Sequence, residues 1–431
     1  MIEVRMIDYG TQKEFIDRIR NRSSSADVES CVQDIIDSVK KGGDAALLEL
    51  TLKFDKVQLE PGKILVSDKE IKEAYSKITE KQKKAIKAAI ANVEKFAQAQ
   101  KPKGFTTEIS NGVKCGVILR PLEKVGCYIP AGRYPLPSTT YMTIVPARIA
   151  GVKEIVVTTP PKKDGKADPG IIVAADMAGA CRIFKIGGAQ AIAALAFGTE
   201  TIPKVDKICG PGNIYVTVAK KLLYGTVGID MLAGPSEIVI IASEKAEPGF
   251  VAADMLAQAE HDPLAASILI TDSKKLAEEV KEELSIQAEK LSSKETIRQS
   301  FDNYSCIIIA KDKTQAVELS NTIAPEHLEI IGYEKGILKD ITNAGSVFFG
   351  SYSCEAAGDY CSGTNHVLPT GESARVRSGL SVYDFLKMIT IQYLTKPGLE
   401  GLKETIGTLA DMEGLPAHKN ACMKRFEGES K

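Results

Sequence analysis

The chain has 431 residues, of which 44% are hydrophobic and 26% are charged, and its formal net charge at pH 7 is -1. Such values are typical of a globular protein with two or more domains, and they argue against nucleic acid or an anionic membrane surface as the main partner. The first residues, MIEVRMIDYG, lack the apolar core of a signal peptide, and no run of about eighteen apolar residues predicts a membrane span. We therefore expect a cytoplasmic protein.

The first hundred residues carry helical patterns. Residues 1–22 predict a short basic helix, and a second helix is expected from Ala26 to Lys41, where a Gly-Gly pair ends it. A longer helical stretch begins at Ser67, which has capping-box spacing with Glu70. We interpret these helices as scaffold.

Residues 112–150 are rich in glycine and proline, a composition that favours a shaped loop over a helix. Such a loop connects elements or forms a binding wall. Tyr128 lies in its middle, where an aromatic ring could flank a planar ligand or simply pack.

Beyond residue 150 the pattern alternates between strands and helices. Strands at 153–158, 182–186 and 205–209, separated by helices, predict a parallel sheet. The turns after the second and third strands bear Gln190 and Asn213, at the carboxyl ends where ligands bind such sheets. The fingerprint GxGxxG is not in the sequence, and Gly210-Pro-Gly212 is only a fragment of it, so the indication of a dinucleotide is weak.

A second alternation begins with the apolar strand 237–242 and predicts a second α/β domain. The helix after this strand ends in QAEHD, and Gln258 and His261 are three residues apart, so both face one side. An amide oxygen and an imidazole on one helical face can begin a metal site, although many helices carry such a pair without chemical purpose.

Only four histidines occur, and each has an acid or an amide nearby, in the motifs QAEHD, PEHLE, GDYCSGTNH and EGLPAH. Asp359 and His366 fall in a segment that we predict to be a loop. The oxygen and nitrogen donors suit zinc, or manganese or cobalt in its place, with the ligand set Gln258, His261, Asp359 and His418. Four unrelated histidines are the alternative. Nine cysteines without a CxxC pair indicate reduced thiols.

These motifs, with GCYIPAGRYPLPST, GGAQAIAALAFGT, CGPGN and GDYCSGTNHVLPTG, occur along residues 25–422, and the chain resembles the histidinol dehydrogenase family. The resemblance implies oxidation of L-histidinol to L-histidine through bound L-histidinal, in two NAD-dependent steps. It implies one zinc ion per subunit, on the four ligands already named. It further implies that His327 is the general base and that Glu326 activates water.

Other contacts are implied in the same way. Besides His327 and the four zinc ligands, the implied substrate contacts are Ser236, His366 and Glu413. The implied contacts with NAD are Tyr128, Gln190 and Asn213.

The resemblance also implies an α/β fold of two incomplete Rossmann-like domains with parallel sheets and small terminal helical pieces. The expected divisions are a helical segment at 1–24, a first Rossmann-like domain at 25–125 and 236–380, a dinucleotide-binding domain at 126–235, and a helical tail at 381–431. The tail is expected to cross to the partner in a homodimer, so that the active sites are shared.

Other function classes remain open. A related amino alcohol could be the substrate, or a zinc hydrolase could use the same ligands without NAD. An aldehyde dehydrogenase would use Cys361 as a nucleophile, although we interpret this cysteine as a packing residue. A non-catalytic protein would bind zinc without turnover.

Overall fold

The computed structural model describes residues 3–22, 28–132 and 134–427. It has two compact units, one formed by Met1–Gln100 and Leu122–Phe385 and a smaller one formed by Lys101–Pro121 and Leu386–Lys431. The two units are described separately below.

Up to residue 100, the described residues include β1 (Arg5–Asp8), α1 (Lys13–Arg20), α2 (Glu29–Asp55), α3 (Asp68–Lys77) and α4 (Glu80–Gln100). Strand β1 corrects the all-helical expectation for residues 1–24, because it pairs in parallel with a strand some 300 residues later, a contact that local pattern does not reveal. Helix α2 is interrupted at Gly43, whose φ of 51° and ψ of -135° are not helical, so two helical segments meet at the glycine pair where the first was expected to end. Its expected start at Ala26 lies outside the described residues. The capping box of Ser67 and Glu70 is confirmed.

The next segment contains seven strands and four helices: β2 (Phe105–Ser110), β3 (Val113–Pro121), β4 (Lys124–Tyr128), α5 (Pro137–Ala150), β5 (Glu154–Thr158), α6 (Pro169–Ala178), β6 (Arg182–Phe184), α7 (Gly188–Phe197), β7 (Lys207–Cys209), α8 (Ile214–Leu223) and β8 (Gly228–Ile229). The loop expected over 112–150 is therefore wrong for most of its length. Strand β4 is buried from Val125 to Tyr128, and α5 begins with Pro137 in its first turn, a position that proline favours.

The remaining elements are β9 (Glu237–Ala242), α9 (Pro248–Ala259), β10 (Ala266–Thr271), α10 (Lys274–Ala288), α11 (Lys294–Asn303), β11 (Cys306–Ile309), α12 (Lys313–Ile323), β12 (His327–Ile331), β13 (Ser346–Phe349), α13 (Glu355–Tyr360), β14 (Leu386–Leu394), α14 (Lys396–Met412) and α15 (Pro416–Met423). None of the described helices is long and apolar enough to span a bilayer.

A five-stranded parallel sheet has the order β6-β5-β4-β7-β8. The chain moves outward from β4 to β6 and then returns to the other side of β4, so the carboxyl ends of β4 and β7 flank a topological switch point. Helix α7 packs on this sheet with a buried, alanine-rich surface from Ala189 to Ala196. The small side chains let the helix approach the sheet and α2 closely.

A six-stranded parallel sheet has the order β1-β11-β10-β9-β12-β13. Its switch point lies between β9 and β12, and every residue of these two strands is buried. The two parallel sheets, with helices between their strands, confirm the predicted α/β fold class. The predicted division into domains stays a prediction.

The smaller unit contains an antiparallel sheet of order β14-β3-β2, together with α14 and α15. Strand β14 corrects the prediction of an all-helical tail over 381–431. Its sequence LKMITIQYL contains isoleucine, threonine and tyrosine, which fit a strand better than a helix, and all nine residues pair with β3.

Candidate metal and dinucleotide sites

The candidate metal site lies at the amino ends of β9 and β12. Ser236 and Glu326 immediately precede these strands, and His327 is the first residue of β12. Gln258 is buried in the last turn of α9, while His261 lies just beyond the end of that helix and is exposed. The predicted helical pair is thus only half helical, yet both residues stay on the same side of the sheet.

Three side chains converge closely enough to share a cation. His261, Glu355 and Asp359 each offer a donor atom, and these atoms lie within 4.8 Å of one another. His261 Nε2 lies 3.9 Å from Asp359 Oδ2. Asp359 was expected in a loop but lies on the short helix α13, one turn after Glu355, so both carboxylates project to the same side.

His327 is buried between acceptor groups. Its Nδ1 lies 2.9 Å from Gln258 Oε1 and 3.6 Å from Glu355 Oε1. Both neighbours are oxygen atoms, so this nitrogen carries the ring hydrogen and donates it to the glutamine. The other ring nitrogen, Nε2, has no hydrogen-bond partner among the described residues and lies 3.7 Å from Asp359 Oδ1.

The electrostatic environment keeps His327 neutral. Burial is the main cause that lowers its pKa from 6.5 to about 4, and nearby histidine charges lower it further, whereas the Asp359 carboxylate raises it. The unprotonated Nε2 is therefore an open proton acceptor at neutral pH.

Glu326 is buried and accepts a hydrogen bond from the Glu237 backbone N–H, at 3.1 Å to its Oε2. Burial and the carboxylate of Glu237 raise the pKa of Glu326 well above its usual value. Glu237 itself forms a buried ion pair of 2.8 Å with Arg22. Raising the pKa of a carboxyl group towards neutrality suits a group that accepts a proton during catalysis.

His366 completes this part of the site. Its Nδ1 lies 2.7 Å from the backbone oxygen of Asp359, so that nitrogen donates, and its Nε2 lies 3.2 Å from Thr139 Oγ1, which donates to it. Burial lowers the pKa of His366. The sequence did not identify Thr139 or Glu355. The only local indication was the four-residue spacing of Glu355 and Asp359, which matters only if the segment is helical.

The predicted dinucleotide residues lie at the other sheet. Tyr128 is the last residue of β4, and its hydroxyl accepts a hydrogen bond from the Gly188 backbone N–H at 3.2 Å. Gln190 is buried in the first turn of α7, close above Gly188. Asn213 caps α8, accepting from Val216 N–H at 3.1 Å, and is exposed. These residues thus lie at the carboxyl ends of β4, β6 and β7.

A cavity of about 520 Å³ is lined by neighbours of both regions, although the predicted site residues themselves are not part of its wall. Its wall includes Ser346, which pairs with His327 in the sheet, and Asn365, which precedes His366. It also includes Asp230, whose side chain binds the Gly210 backbone N–H at 2.7 Å.

Glu413 and His418 belong to the smaller unit. Glu413 ends α14, His418 lies in α15, and both are exposed. Their participation in the site stays a prediction.

Together the fold and the site define an α/β enzyme with two Rossmann-like sheets, a buried histidine–carboxylate centre and a separate glycine-turn region. Comparison with known proteins is more specific. The histidinol dehydrogenase family model matches residues 18–426. The histidinol dehydrogenase of Methanothermobacter thermautotrophicus is 49% identical over 427 residues, covering 99% of each chain.

Two further relatives agree. The histidinol dehydrogenase of Clostridium acetobutylicum is 50% identical over 409 residues, covering 95% of this chain and 94% of the relative. The crystal structure of histidinol dehydrogenase from Elizabethkingia anophelis superposes with a TM-score of 0.95 at 40% identity, covering 99% of both chains. This chain belongs to the histidinol dehydrogenase family.

Proposed function

We propose that the protein oxidises L-histidinol to L-histidine through bound L-histidinal, in two NAD-dependent steps that complete histidine biosynthesis. The observation that carries this proposal is the buried His327, whose Nδ1 is held at 2.9 Å by Gln258 while its Nε2 has no partner among the described residues. A neutral imidazole with one nitrogen fixed and the other open is arranged to accept a proton from a substrate hydroxyl.

The side chains present fit a zinc ion. His261, Glu355 and Asp359 offer donor atoms within 4.8 Å of one another. In addition, His327 Nε2 and Glu355 Oε1 are buried acceptor atoms without a hydrogen-bond partner among the described residues, and such atoms are uncommon unless a ligand satisfies them. We propose Gln258, His261, Asp359 and His418 as the zinc ligands, one ion per subunit. When bound, zinc holds and orients substrate nitrogen atoms.

The first oxidation requires removal of the hydroxyl proton, which we assign to His327 Nε2. Asp359 Oδ1, at 3.7 Å, stabilises the positive charge that develops on the ring. Ser236, His366 and Glu413 would hold the substrate, together with the proposed metal ligands. NAD, held by the residues proposed below, would supply the hydride acceptor for each oxidation.

The second oxidation requires a water molecule to add to the aldehyde. We assign its activation to Glu326, because its raised pKa makes it a stronger base than an exposed carboxylate. His327 assists the hydride step that follows. An aldehyde kept in place between the two steps avoids release into water.

We propose Tyr128, Gln190 and Asn213 as the dinucleotide contacts. Their position at a topological switch point supports this assignment. Gly188 and Gly210 have positive φ angles of 66° and 113°, so the turns at these carboxyl ends take a backbone conformation that favours glycine.

We further propose a cytoplasmic homodimer in which Glu413 and His418 of the partner subunit complete each site. The nine cysteines all lie in the described part of the chain and none forms a disulfide, which supports a reducing compartment.

The test is to add L-histidinol and NAD to the purified protein and to follow NADH and histidine. Two molecules of NADH for each histidinol consumed are expected, since alcohol to acid requires two hydride transfers. No NADH would rule the proposal out, and one NADH with free aldehyde would limit the activity to the alcohol step. A related amino alcohol with a higher kcat/KM would reassign the substrate.

A further inference from the structure

A buried ion pair lies beside the turn that follows β7. Lys220 of α8 and Asp230, which follows β8, form a salt bridge, with 2% and 0% of their side chains exposed. Lys220 Nζ also donates to the backbone oxygen of Gly210 at 3.1 Å. The N–H of the same glycine donates to Asp230 Oδ2 at 2.7 Å. Both backbone polar groups of Gly210 are therefore held by one charged pair.

Gly210 is pressed against the end of β4. A Cβ built on it would lie 2.1 Å from the backbone oxygen of Tyr128. The ion pair thus holds the Gly210 backbone close to the Tyr128 backbone oxygen. Only glycine permits so short a distance, because it has no Cβ. The same turn continues through Gly212 into Asn213, the cap of α8.

Stability alone is a weak reason for this arrangement. Removing two charges from water costs free energy that their attraction recovers only partly, and replacing a buried pair by neutral residues of similar shape is often close to neutral. Since both charged groups also form hydrogen bonds with the backbone of Gly210, the pair acts on the position of this turn.

We propose that Lys220 and Asp230 are positioning residues for the dinucleotide: they hold the Gly210 turn, and with it Asn213, in register with Tyr128. This inference rests on the proposed function, because it concerns the same dinucleotide site. Neither residue is required to touch the reacting atoms.

The test is the double variant Lys220→Met/Asp230→Asn, which removes both charges together and keeps an amide oxygen for the Gly210 N–H. The matched control is Lys185→Met/Glu70→Gln, which removes another buried pair of the same unit, 2.7 Å long, whose charged groups do not bind the Gly210 turn. NADH binding is titrated by fluorescence for both variants and the wild-type protein. KM values for NAD and histidinol, metal content and unfolding temperature are measured in parallel.

We expect NADH affinity to fall, and the KM for NAD to rise, by roughly tenfold or more in the Lys220/Asp230 variant. The KM for histidinol and the metal content should stay within about twofold, and the control pair should leave NADH affinity unchanged. Unchanged NADH affinity in the folded variant would overturn the inference. So would equal losses of NADH affinity in both variants, or parallel losses of NAD, histidinol and metal binding.

If the double variant does not fold, Lys220→Arg serves in its place, because it keeps the charge but moves the donors away from Gly210. A selective loss of NADH affinity in this variant would support the inference, and an unchanged NADH affinity would overturn it. Failure of the wild-type protein to form NADH would count against the proposed function instead. If the wild-type protein binds NADH and the variants bind it equally well, only the positioning role is overturned.

Discussion

Gly210→Ala should weaken dinucleotide binding more than its backbone strain alone explains. The residue has a φ of 113°, and a side chain there costs about 1–3 kcal/mol of strain. In addition, the new Cβ would lie 2.1 Å from the Tyr128 backbone oxygen, whereas real Cβ contacts essentially never fall below 3.0 Å. The turn and β4 must therefore separate by about 0.9 Å. Because a misplacement of about 1 Å can cost up to about 100-fold in a preorganised site, we expect the KM for NAD to rise at least about tenfold.

Gly225→Ala is the matched control for this substitution. Gly225 lies just after α8 with a φ of 99°, and no described heavy atom lies within 4 Å of the position where its Cβ would be. It therefore introduces comparable strain without displacing the turn. Both variants are assayed for KM with NAD and with histidinol, for NADH binding by fluorescence, and for thermal unfolding. Equal NADH affinity in the two variants would refute the steric reasoning.

Three further predictions concern two buried carboxyl groups and the proposed sharing of each site between subunits. Burial raises the pKa of Asp55 from 3.8 to about 6. The ionised carboxylate therefore destabilises the folded state: this effect is absent below about pH 4, grows up to about pH 6 and is constant above. Asp55→Asn should therefore raise the free energy of unfolding by about 1–3 kcal/mol at pH 7.5, after a discount for partial exposure, and by little at pH 4; equal gains in urea unfolding at both pH values would contradict this. Glu355→Gln keeps the side-chain shape but removes the carboxylate 3.6 Å from His327 Nδ1. If this carboxylate supports His327 as the base, kcat should fall about 10- to 100-fold while the metal content, measured by mass spectrometry, is retained. An unchanged kcat would exclude this supporting role of Glu355. Mixing inactive His261→Ala subunits with inactive His418→Ala subunits should restore part of the activity after the dimers re-form, and mixtures that stay inactive would argue against shared sites.

The sequence was most informative where local pattern and tertiary structure agree. Apolar strands such as Glu154–Thr158 and Glu237–Ala242, separated by helical stretches, require a parallel sheet because both faces must be covered. Once the sheet is parallel, the turns that carry Gln190 and Asn213 must lie at its carboxyl edge, where the structure has them.

The features that the sequence did not predict depend on contacts between residues that are far apart in the chain. Strand β1 is a strand because it pairs with β11, and β14 because it pairs with β3, and neither partner is adjacent in sequence. Thr139 binds His366 across 227 residues. Asp359 was expected in a loop, and Glu355 is aligned with it only because the segment forms α13. The Lys220–Asp230 pair joins a helix to the end of a strand, and nothing in local sequence distinguishes it from two surface charges.

The candidate metal site lies at the amino ends of the six-stranded sheet, whereas ligands usually bind such sheets at the carboxyl ends, and electrostatics gives a reason. The amino ends of strands present backbone N–H groups, and Glu326 accepts one of them, from Glu237. Such donors attract carboxylates, so acids collect at this edge. Arg22 balances Glu237, whereas burial and neighbouring acids raise the pKa values of Glu326 and Glu355. An edge rich in acids and short of positive charge favours a cation. The same reasoning favours the other sheet for the proposed anionic dinucleotide, because glycine turns there lead into helix amino ends.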